Sequence, residues 1–210
     1  MTVLTLVLAL AQAAPMPPPP PGEGMRSWRE QVFISPAGEP FRVPEGQPYP
    51  VAAWFNQADL NHDGKLSEAE FIADFQRFAA ILDTDHDGII EGTEVEAYET
   101  VMVPEVHSGA TLSYSTEGGG DGEGGGSSHG PPADSQPMGA GKYGLLNLPE
   151  PVAAMDTGLT GRITKRDVTS AAIYRFSLLD KDERGWLTLA DLPETFAQGH
   201  KGQVRRRHRR

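Results

Sequence analysis

The sequence contains no cysteine, which excludes disulfide bonds, thiolate metal sites, cysteine nucleophiles and a lipid-modified N-terminal cysteine. It also lacks the G-x-S-x-G, P-loop and H-E-x-x-H motifs of common catalytic sites. Ser127, Ser128 and His129 are adjacent, but the glycine tract around them could not hold them in a reacting geometry. We therefore expect a protein that is not an enzyme and that is stabilised by packing or by bound ions.

Basic residues are few outside the C-terminus. The chain has 29 acidic and 18 basic residues, a net charge of −11, and six of the basic residues lie in the last ten positions. An acidic body argues against nucleic acid as a partner and favours cations. The basic tail, residues 199–210, has two interpretations: a solvated end that folds back on the acidic region, or a contact with an anionic surface of lipid or polysaccharide.

Long hydrophobic runs are also absent. The apolar run at residues 3–10 is much shorter than the roughly 20 residues that cross a bilayer, so no membrane span is expected. Small residues follow it, and Ala-Gln-Ala at 11–13 fits a signal-peptide cleavage site. We predict a signal peptide at residues 1–13 and a periplasmic or secreted protein. The alternative, an apolar tail that is never cleaved, stays open because no Lys or Arg precedes the run.

Glycine and proline are abundant, with 24 and 18 residues, and they mark segments that do not pack. Their distribution predicts a Pro-rich spacer at residues 14–24 and a flexible Gly-rich linker at residues 105–142. The N-terminal, central Gly-rich and C-terminal basic segments are expected to be disordered. Residues 25–49 predict an extended arm with apolar side chains that would fit a groove, namely Trp28, Phe33, Ile34 and Phe41.

The remaining chain has the apolar periodicity of α-helices. It predicts a helix with Pro50 at its first position, a second over 68–82, a third over 93–103 that stops before Pro104, and a fourth over 165–179. The aromatic stripe of the second helix is interpreted as core packing. We therefore predict an all-α fold class.

Two acidic segments, residues 59–70 and 83–94, match the pattern D-x-[DN]-x-[DN]-G-x5-E. In cation-binding loops of this pattern, positions 1, 3 and 5 offer side-chain oxygens, position 7 a backbone carbonyl and position 12 both oxygens of a glutamate. Oxygen ligands without Cys or His select Ca²⁺ over zinc or copper. We predict two Ca²⁺ sites with the ligands Asp59, Asn61, Asp63, Lys65 through its carbonyl and Glu70, and Asp83, Asp85, Asp87, Ile89 through its carbonyl and Glu94.

These loops and their flanking helical segments resemble the EF-hand family, and within it the small exported bacterial proteins that pair two such loops across one short helix. The resemblance is strong over residues 50–103 and weak over residues 151–196. It implies helix-loop-helix units and calcium binding, with an EF-hand pair at residues 50–104.

Two weaker copies of the pattern, residues 156–167 and 180–191, form a predicted degenerate pair within residues 143–198. Both have aspartate at positions 1 and 12 and glycine at position 6, but Arg184 is at position 5 of the second copy. The loop starts are 24 residues apart in both halves, which indicates an internal duplication. We interpret these loops as structural mates of the intact ones. The alternative is weak Ca²⁺ or Mg²⁺ binding through Asp180, Asp182 and Asp191.

The spacing of the loops also predicts how they pair. Twelve residues separate the intact loops, too few for two helices and a turn, so one helix must serve both. That helix is roughly 22 Å long at 1.5 Å per residue, and loops at its two ends cannot pair with each other. If a second shared helix packs antiparallel to the first, each intact loop meets a degenerate loop. This predicts β-bridges between Leu66 and Leu187 and between Ile90 and Ile163.

The sequence favours a non-enzymatic calcium-binding protein that acts as a buffer or sensor. The alternative is an interaction module that calcium stabilises and that holds an unknown protein partner through its groove or its basic tail. Exposure of apolar surface on calcium binding would favour sensing, whereas a higher melting temperature alone would favour a structural role. An arm that fills the groove would favour buffering over sensing.

Overall fold

The computed structural model describes residues 30–107 and 137–199, and these ranges contain all four loops. The predicted signal peptide, the Pro-rich spacer, Trp28 and residues 200–210 of the basic tail lie outside the described residues, as does most of the predicted linker. No helix in the described ranges has the length and apolar character needed to cross a membrane.

The first half is built around a helix that two loops share. Helix α1 (Val51–Ala58) leads into loop 59–70, α2 (Glu68–Leu82) connects this loop to loop 83–94, and α3 (Gly92–Ala97) follows. The bounds of α2 are those predicted. Ser67 caps α2, because its side chain accepts a hydrogen bond from the Glu70 amide while Glu70 reaches back to the Ser67 amide.

The second half repeats this arrangement, with a short 3-10 turn in the place of the first helix. A 3-10 turn, Ala153–Met155, precedes loop 156–167, and α4 (Lys165–Leu179) connects this loop to loop 180–191. Helix α4 also has the predicted bounds, and Thr164 caps it as Ser67 caps α2. A short helical turn at residues 196–199 follows.

The helix predicted over residues 93–103 changes geometry part-way. It is α-helical only over α3 and becomes a π-helix at Tyr98–Met102. The Val103 amide donates to the Tyr98 carbonyl at 2.7 Å, which is an i to i+5 hydrogen bond. Pro104 then starts a 3-10 turn, Pro104–His107, because proline has no amide hydrogen to continue the helix.

The predicted all-α class is corrected by short strands in the described residues. All of them pair antiparallel in two-stranded sheets. The first sheet is a hairpin that aromatic and branched residues of the arm form around a turn, a pattern that favours strands. The pairs are β1 (Glu30–Ile34) with β2 (Pro40–Pro44), β3 (Leu66–Ser67) with β6 (Trp186–Leu187), and β4 (Ile89–Glu91) with β5 (Arg162–Thr164).

Both predicted β-bridges are confirmed. Leu66 lies opposite Leu187, and Ile90 lies opposite Ile163. All four side chains are buried. Each intact loop is therefore joined to a degenerate loop, and α2 packs against α4 between the two bridges.

The described part of the arm packs against both halves. Phe33 and Ile34 of β1 are buried in the core, and the Phe33 ring centroid lies 5.6 Å from that of Trp54 in α1. The turn of the hairpin needs Gly38, which has a φ of +101° and would place a Cβ 2.9 Å from the Tyr98 hydroxyl. That hydroxyl donates to the Gly38 carbonyl at 2.8 Å, so the hairpin is tied to the π-helix.

Polar side chains, of which Arg175 and Asp74 are buried, fix the hairpin to both long helices. Arg175 of α4 is 3% exposed and donates to the carbonyls of Pro36 at 2.7 Å and Pro151 at 2.8 Å. Burial lowers the pKa of Arg175 to about 10, so it stays charged at neutral pH. On the other side, Arg77 of α2 pairs with Glu39 of the hairpin turn and with Asp74.

Both ends of the predicted linker are part of the fold. Residues 105–107 lie in the 3-10 turn Pro104–His107, where Val106 is 5% exposed. Residues 137–142 include a 3-10 turn, Gly139–Lys142, in which Ala140 is 1% exposed. The Ala140 amide donates to the Pro149 carbonyl, and the Ile34 amide donates to the Tyr143 carbonyl at 3.1 Å. The glycines here permit close backbone packing, a use that composition alone does not separate from flexibility.

Candidate metal centre

Loop 83–94 brings three carboxylates together. Asp83 ends α2, and Asp85 and Asp87 follow at alternate positions of the loop. One oxygen from each of the three lies within 4.8 Å of the others. Three like charges at this separation repel one another, and a bound cation would relieve that repulsion.

Backbone amides of the loop orient these carboxylates. The Asp83 Oδ1 atom accepts from the Asp87 amide at 3.1 Å, and its Oδ2 atom accepts from the Gly88 amide at 2.9 Å. The Asp87 Oδ1 atom accepts from the Ile89 amide at 2.8 Å. Gly88 has a φ of +85°, which a side chain would strain. The loop backbone thus fixes the directions of the side chains at positions 1 and 5.

Glu94 closes the loop at position 12. Its Oε1 atom accepts from the Thr84 amide at 2.6 Å and from the Thr84 hydroxyl at 3.0 Å, and its Oε2 atom accepts from the Glu91 amide at 3.0 Å. Desolvation acts to raise the pKa of Glu94, but these hydrogen bonds outweigh it and hold the pKa below its usual value. Glu94 is therefore ionised at neutral pH. Its carboxylate contacts Thr84 of the loop and lies outside the cluster of Asp83, Asp85 and Asp87.

Loop 59–70 has the same hydrogen-bond pattern, with an amide among its predicted ligands. Asp59 is 3% exposed, and its Oδ2 atom accepts from the Gly64 amide at 2.9 Å. The Asn61 side-chain oxygen accepts from the Asp63 amide at 3.0 Å. The Asp63 Oδ1 atom accepts from the Lys65 amide at 2.8 Å. Asn61 in place of a carboxylate lowers the charge of this loop relative to loop 83–94.

Glu70 takes the same role here that Glu94 takes in the second loop. Its Oε2 atom accepts from the Ser67 amide at 3.0 Å and from the Ser67 hydroxyl at 2.7 Å, and its Oε1 atom accepts from the Asn61 amide at 3.3 Å. Desolvation acts to raise the pKa of Glu70, but hydrogen bonds from Ser67, Asn61 and Leu60 outweigh it, so the pKa is lowered.

Three residues that support the glutamates are absent from the ligand prediction. Ser67 and Glu91 are at position 9, where they cap α2 and α3, and Thr84 is at position 2. The S-x-x-E spacing of Ser67 and Glu70 is a capping-box pattern that the sequence does carry. No spacing rule points to Thr84, because its contact with Glu94 depends on the closed loop.

All four loops share one backbone conformation. The residues at position 4 have positive φ although none is glycine, with values of 56° at His62, 61° at His86, 51° at Leu159 and 52° at Glu183. Both histidines are exposed, as expected for side chains that point away from the loop centre. The degenerate loops therefore keep the turn and differ in the side chains at the centre.

Comparison with known proteins agrees with this local geometry. The family model described as EF hand matches residues 51–78, which span α1, loop 59–70 and most of α2. Searches of curated proteins and of solved structures found no significant match. The match supports an EF-hand unit in this part of the chain and, with it, calcium binding. The resemblance to small exported bacterial EF-hand proteins stays a prediction.

Proposed function

We propose that the protein is a non-enzymatic calcium buffer that binds one Ca²⁺ in loop 59–70 and one in loop 83–94. The observation that carries the proposal is the convergence of the Asp83, Asp85 and Asp87 carboxylates within 4.8 Å. The ligands are those predicted from the sequence, with each position-12 glutamate held in place by its neighbours. Ca²⁺ prefers such sets of six to eight oxygens in a flexible shell.

The hairpin favours buffering over sensing. Sensor EF-hands open an apolar groove when calcium binds. Here Phe33 and Ile34 are buried in the core, and Arg175 and Arg77 hold the hairpin turn to the long helices. A groove that is filled from within the same chain has little apolar surface to expose, so calcium binding would mainly stabilise the fold.

Charge and predicted location are consistent with this role. Residues 51–103 contain 12 acidic and 2 basic residues, so bound Ca²⁺ would reduce a strong self-repulsion. We place the protein in the periplasm or outside the cell because residues 1–13 fit the pattern of a signal peptide. Extracellular EF-hand modules bind calcium with dissociation constants of roughly 10⁻⁴ to 10⁻³ M, which suits such a compartment.

Calorimetric calcium titration of the whole protein tests the proposal. We expect two sites in the wild type and one site each in Glu70→Gln and Glu94→Gln, because a glutamine cannot close the shell with two charged oxygens. Glu96→Gln is the matched control, since Glu96 is exposed on the same helix as Glu94 and is not a predicted ligand. Two unchanged sites in both ligand variants would contradict the proposal.

An apolar cleft beside loop 83–94 favours a second function, a calcium-stabilised adaptor. The cleft has a volume of about 290 Å³ and is bordered by Thr84 and Glu94. Ile81 and Val101 line it and are 50% and 81% exposed. An increase in apolar-dye fluorescence on calcium addition that Val101→Ser removes would support the adaptor function over the buffer. An unchanged dye signal with a raised melting temperature supports the buffer.

A further inference from the structure

Loop 180–191 keeps the backbone of a calcium loop. The Asp180 Oδ1 atom accepts from the Arg184 amide at 3.1 Å, and its Oδ2 atom accepts from the Gly185 amide at 2.7 Å. Asp59 and Asp83 make the same two contacts with the amides at positions 5 and 6 of their own loops. The turn is therefore formed, and the difference lies in what occupies its centre.

The guanidinium of Arg184 lies between the carboxylates of this loop. One terminal nitrogen is 2.8 Å from the Asp191 Oδ2 atom, and Nε is 4.0 Å from the Asp182 Oδ2 atom. Asp191 also accepts from the Thr188 amide at 2.9 Å and from its hydroxyl at 2.7 Å. Positions 3 and 12 are among those that bind the ion in an intact loop. A positive side chain thus neutralises the carboxylates that would otherwise bind a cation.

Loop 156–167 is closed by a neutral group instead. The Thr160 hydroxyl lies 3.2 Å from the Asp156 Oδ1 atom and 3.0 Å from the Arg162 carbonyl oxygen. These two oxygens are at positions 1 and 7, which would both bind an ion in an intact loop. Gly158 at position 3 offers no side-chain ligand. A hydrogen-bonding hydroxyl here joins the two sides of the loop.

The residues of the degenerate loops do not fit calcium, and we propose that Arg184 and Thr160 take the place of an ion in loops 180–191 and 156–167. The second half then folds without calcium and holds loops 59–70 and 83–94 ready for it. This inference rests on the proposed function, because it concerns how the affinity of the same two sites is set. Arg184 and Thr160 act through their loops and are positioning residues.

The bridges carry the effect from one half to the other. Leu66 and Ser67 pair with Leu187 and Trp186, so the end of loop 59–70 is fixed by the strand that follows Arg184. The Lys65 ammonium lies 4.7 Å from the centroid of the Trp186 ring, which adds a cation–π contact at the same place. An already ordered partner strand lowers the entropy cost of ordering the calcium loop, and this raises its affinity.

The position-6 glycines allow each loop to be followed separately by ¹H–¹⁵N NMR. The amides of Gly64, Gly88, Gly161 and Gly185 each donate to the position-1 aspartate of their own loop. In chelator, we expect all four amides to resonate at the low field of a charged hydrogen bond. Added calcium should move Gly64 and Gly88 only. Calcium-dependent shifts of Gly161 and Gly185 as large as those of Gly64 and Gly88 would overturn the inference.

Crossed variants test the coupling. Arg184→Gln should weaken calcium binding by loop 59–70, as reported by the Gly64 amide, by roughly threefold, the size expected for one partly exposed ion pair. The affinity of loop 83–94, as reported by Gly88, should not change. Thr160→Val should weaken calcium binding by loop 83–94, as reported by Gly88, and leave the affinity of loop 59–70 unchanged. The controls are Lys181→Gln and Thr157→Val, which remove the same charge and the same hydroxyl at exposed positions of the same loops. Equal effects on both sites, or no effect on either, would contradict the inference.

Failure of the proposed function is distinguishable from failure of this inference. If neither Gly64 nor Gly88 responds to calcium in the wild type, the buffer proposal is wrong. The inference is then still decided in chelator, where Arg184→Gln should melt at a lower temperature than Lys181→Gln because only the first variant breaks the Asp191 ion pair. Equal melting temperatures would overturn it.

Discussion

Ser67 and Thr84 hold the two glutamates that complete the proposed calcium loops. Each donates a backbone amide and a hydroxyl to its glutamate, so the carboxylates of Glu70 and Glu94 are directed toward their loops by the protein itself. This reduces the number of side-chain conformations that calcium must fix. The hydroxyls should therefore affect both stability and affinity without being ligands in the predicted set.

Ser67→Ala distinguishes the effect of helix capping by Ser67 from the effect of calcium binding by Glu70. It removes the hydroxyl that caps α2 and contacts Glu70, so the free energy of unfolding in chelator should fall by about 1 kcal/mol. Calcium affinity of loop 59–70 should fall less than in Glu70→Gln. Denaturant unfolding and calorimetry measure the two effects. Ser177→Ala, on the exposed face of α4, is the control.

The lowered pKa values of Glu70 and Glu94 predict acid sensitivity in the absence of calcium. A carboxyl whose pKa is lower in the folded state stabilises the fold fully above its unfolded pKa, about 4.3 for glutamate, and this stabilisation is lost as the pH falls through the folded pKa. The free energy of unfolding in chelator should therefore fall as the pH is lowered below about 5.

The double variant Glu70→Gln, Glu94→Gln checks the source of that slope. It should flatten the pH profile, while Asp156, Asp167 and Asp191, whose pKa values are also lowered by hydrogen bonds, keep part of it. Denaturant unfolding at a series of pH values gives the profile. A slope identical to that of the wild type would show that the two glutamates are not responsible.

Among the elements, the β1–β2 hairpin, which lies in the described part of the arm, packs its apolar side chains into the helical core. Phe33 is fully buried, with its ring 5.6 Å from Trp54, 6.1 Å from Tyr49 and 6.2 Å from Phe41. The Tyr49 hydroxyl also donates to the Val32 carbonyl at 2.8 Å. The hairpin thus supplies core volume that the helices alone would leave unfilled.

Phe33→Ala should reduce the free energy of unfolding by about 3 to 5 kcal/mol, the usual cost of removing a buried aromatic ring. It should also create a calcium-dependent increase in apolar-dye fluorescence, because the groove loses its main occupant. Phe41→Ala is the control, since Phe41 is only half-buried and its loss should cost less. A variant as stable as the wild type would contradict the role assigned to the hairpin.

The elements differ in how far the sequence predicts them. Helices α2 and α4 follow from apolar periodicity that no Gly or Pro interrupts, and the bridges follow from the repeated 24-residue spacing. The hairpin cannot be predicted in this way. Prolines at 36, 40 and 44 favour an unpaired extended arm, and nothing in the sequence pattern shows that Phe33 pairs with Phe41. The fold of residues 137–142 also depends on contacts with other segments, and the Arg184 ion pair depends on the closed conformation of its own loop.

Across the whole molecule, the two proposed calcium sites are at opposite ends of α2. This helix has 15 residues, so the loops are separated by roughly 22 Å. Their bridges lead to two different loops, with no strand pair between loops 59–70 and 83–94 among the described residues. The arrangement differs from one in which two calcium loops share a bridge and respond together.

Calcium binding should accordingly show little cooperativity. We expect a Hill coefficient close to one, and Glu94→Gln should leave the affinity measured at Gly64 within roughly twofold of the wild type, a coupling free energy well below 1 kcal/mol. Residue-resolved NMR titration provides both quantities. A steeper curve, or a large change at Gly64 in the Glu94 variant, would mean that α2 transmits binding between its ends.

The pairing of each intact loop with a distant mate also governs how the chain folds. Leu66 and Leu187 are 121 residues apart, and Ile90 and Ile163 are 73 residues apart. Contacts of such sequence separation form late, since long stretches of chain must be closed before they form. During synthesis, loops 59–70 and 83–94 are produced well before their bridge partners. The final geometry of both proposed calcium sites is therefore completed only after α4 and β6 have been made.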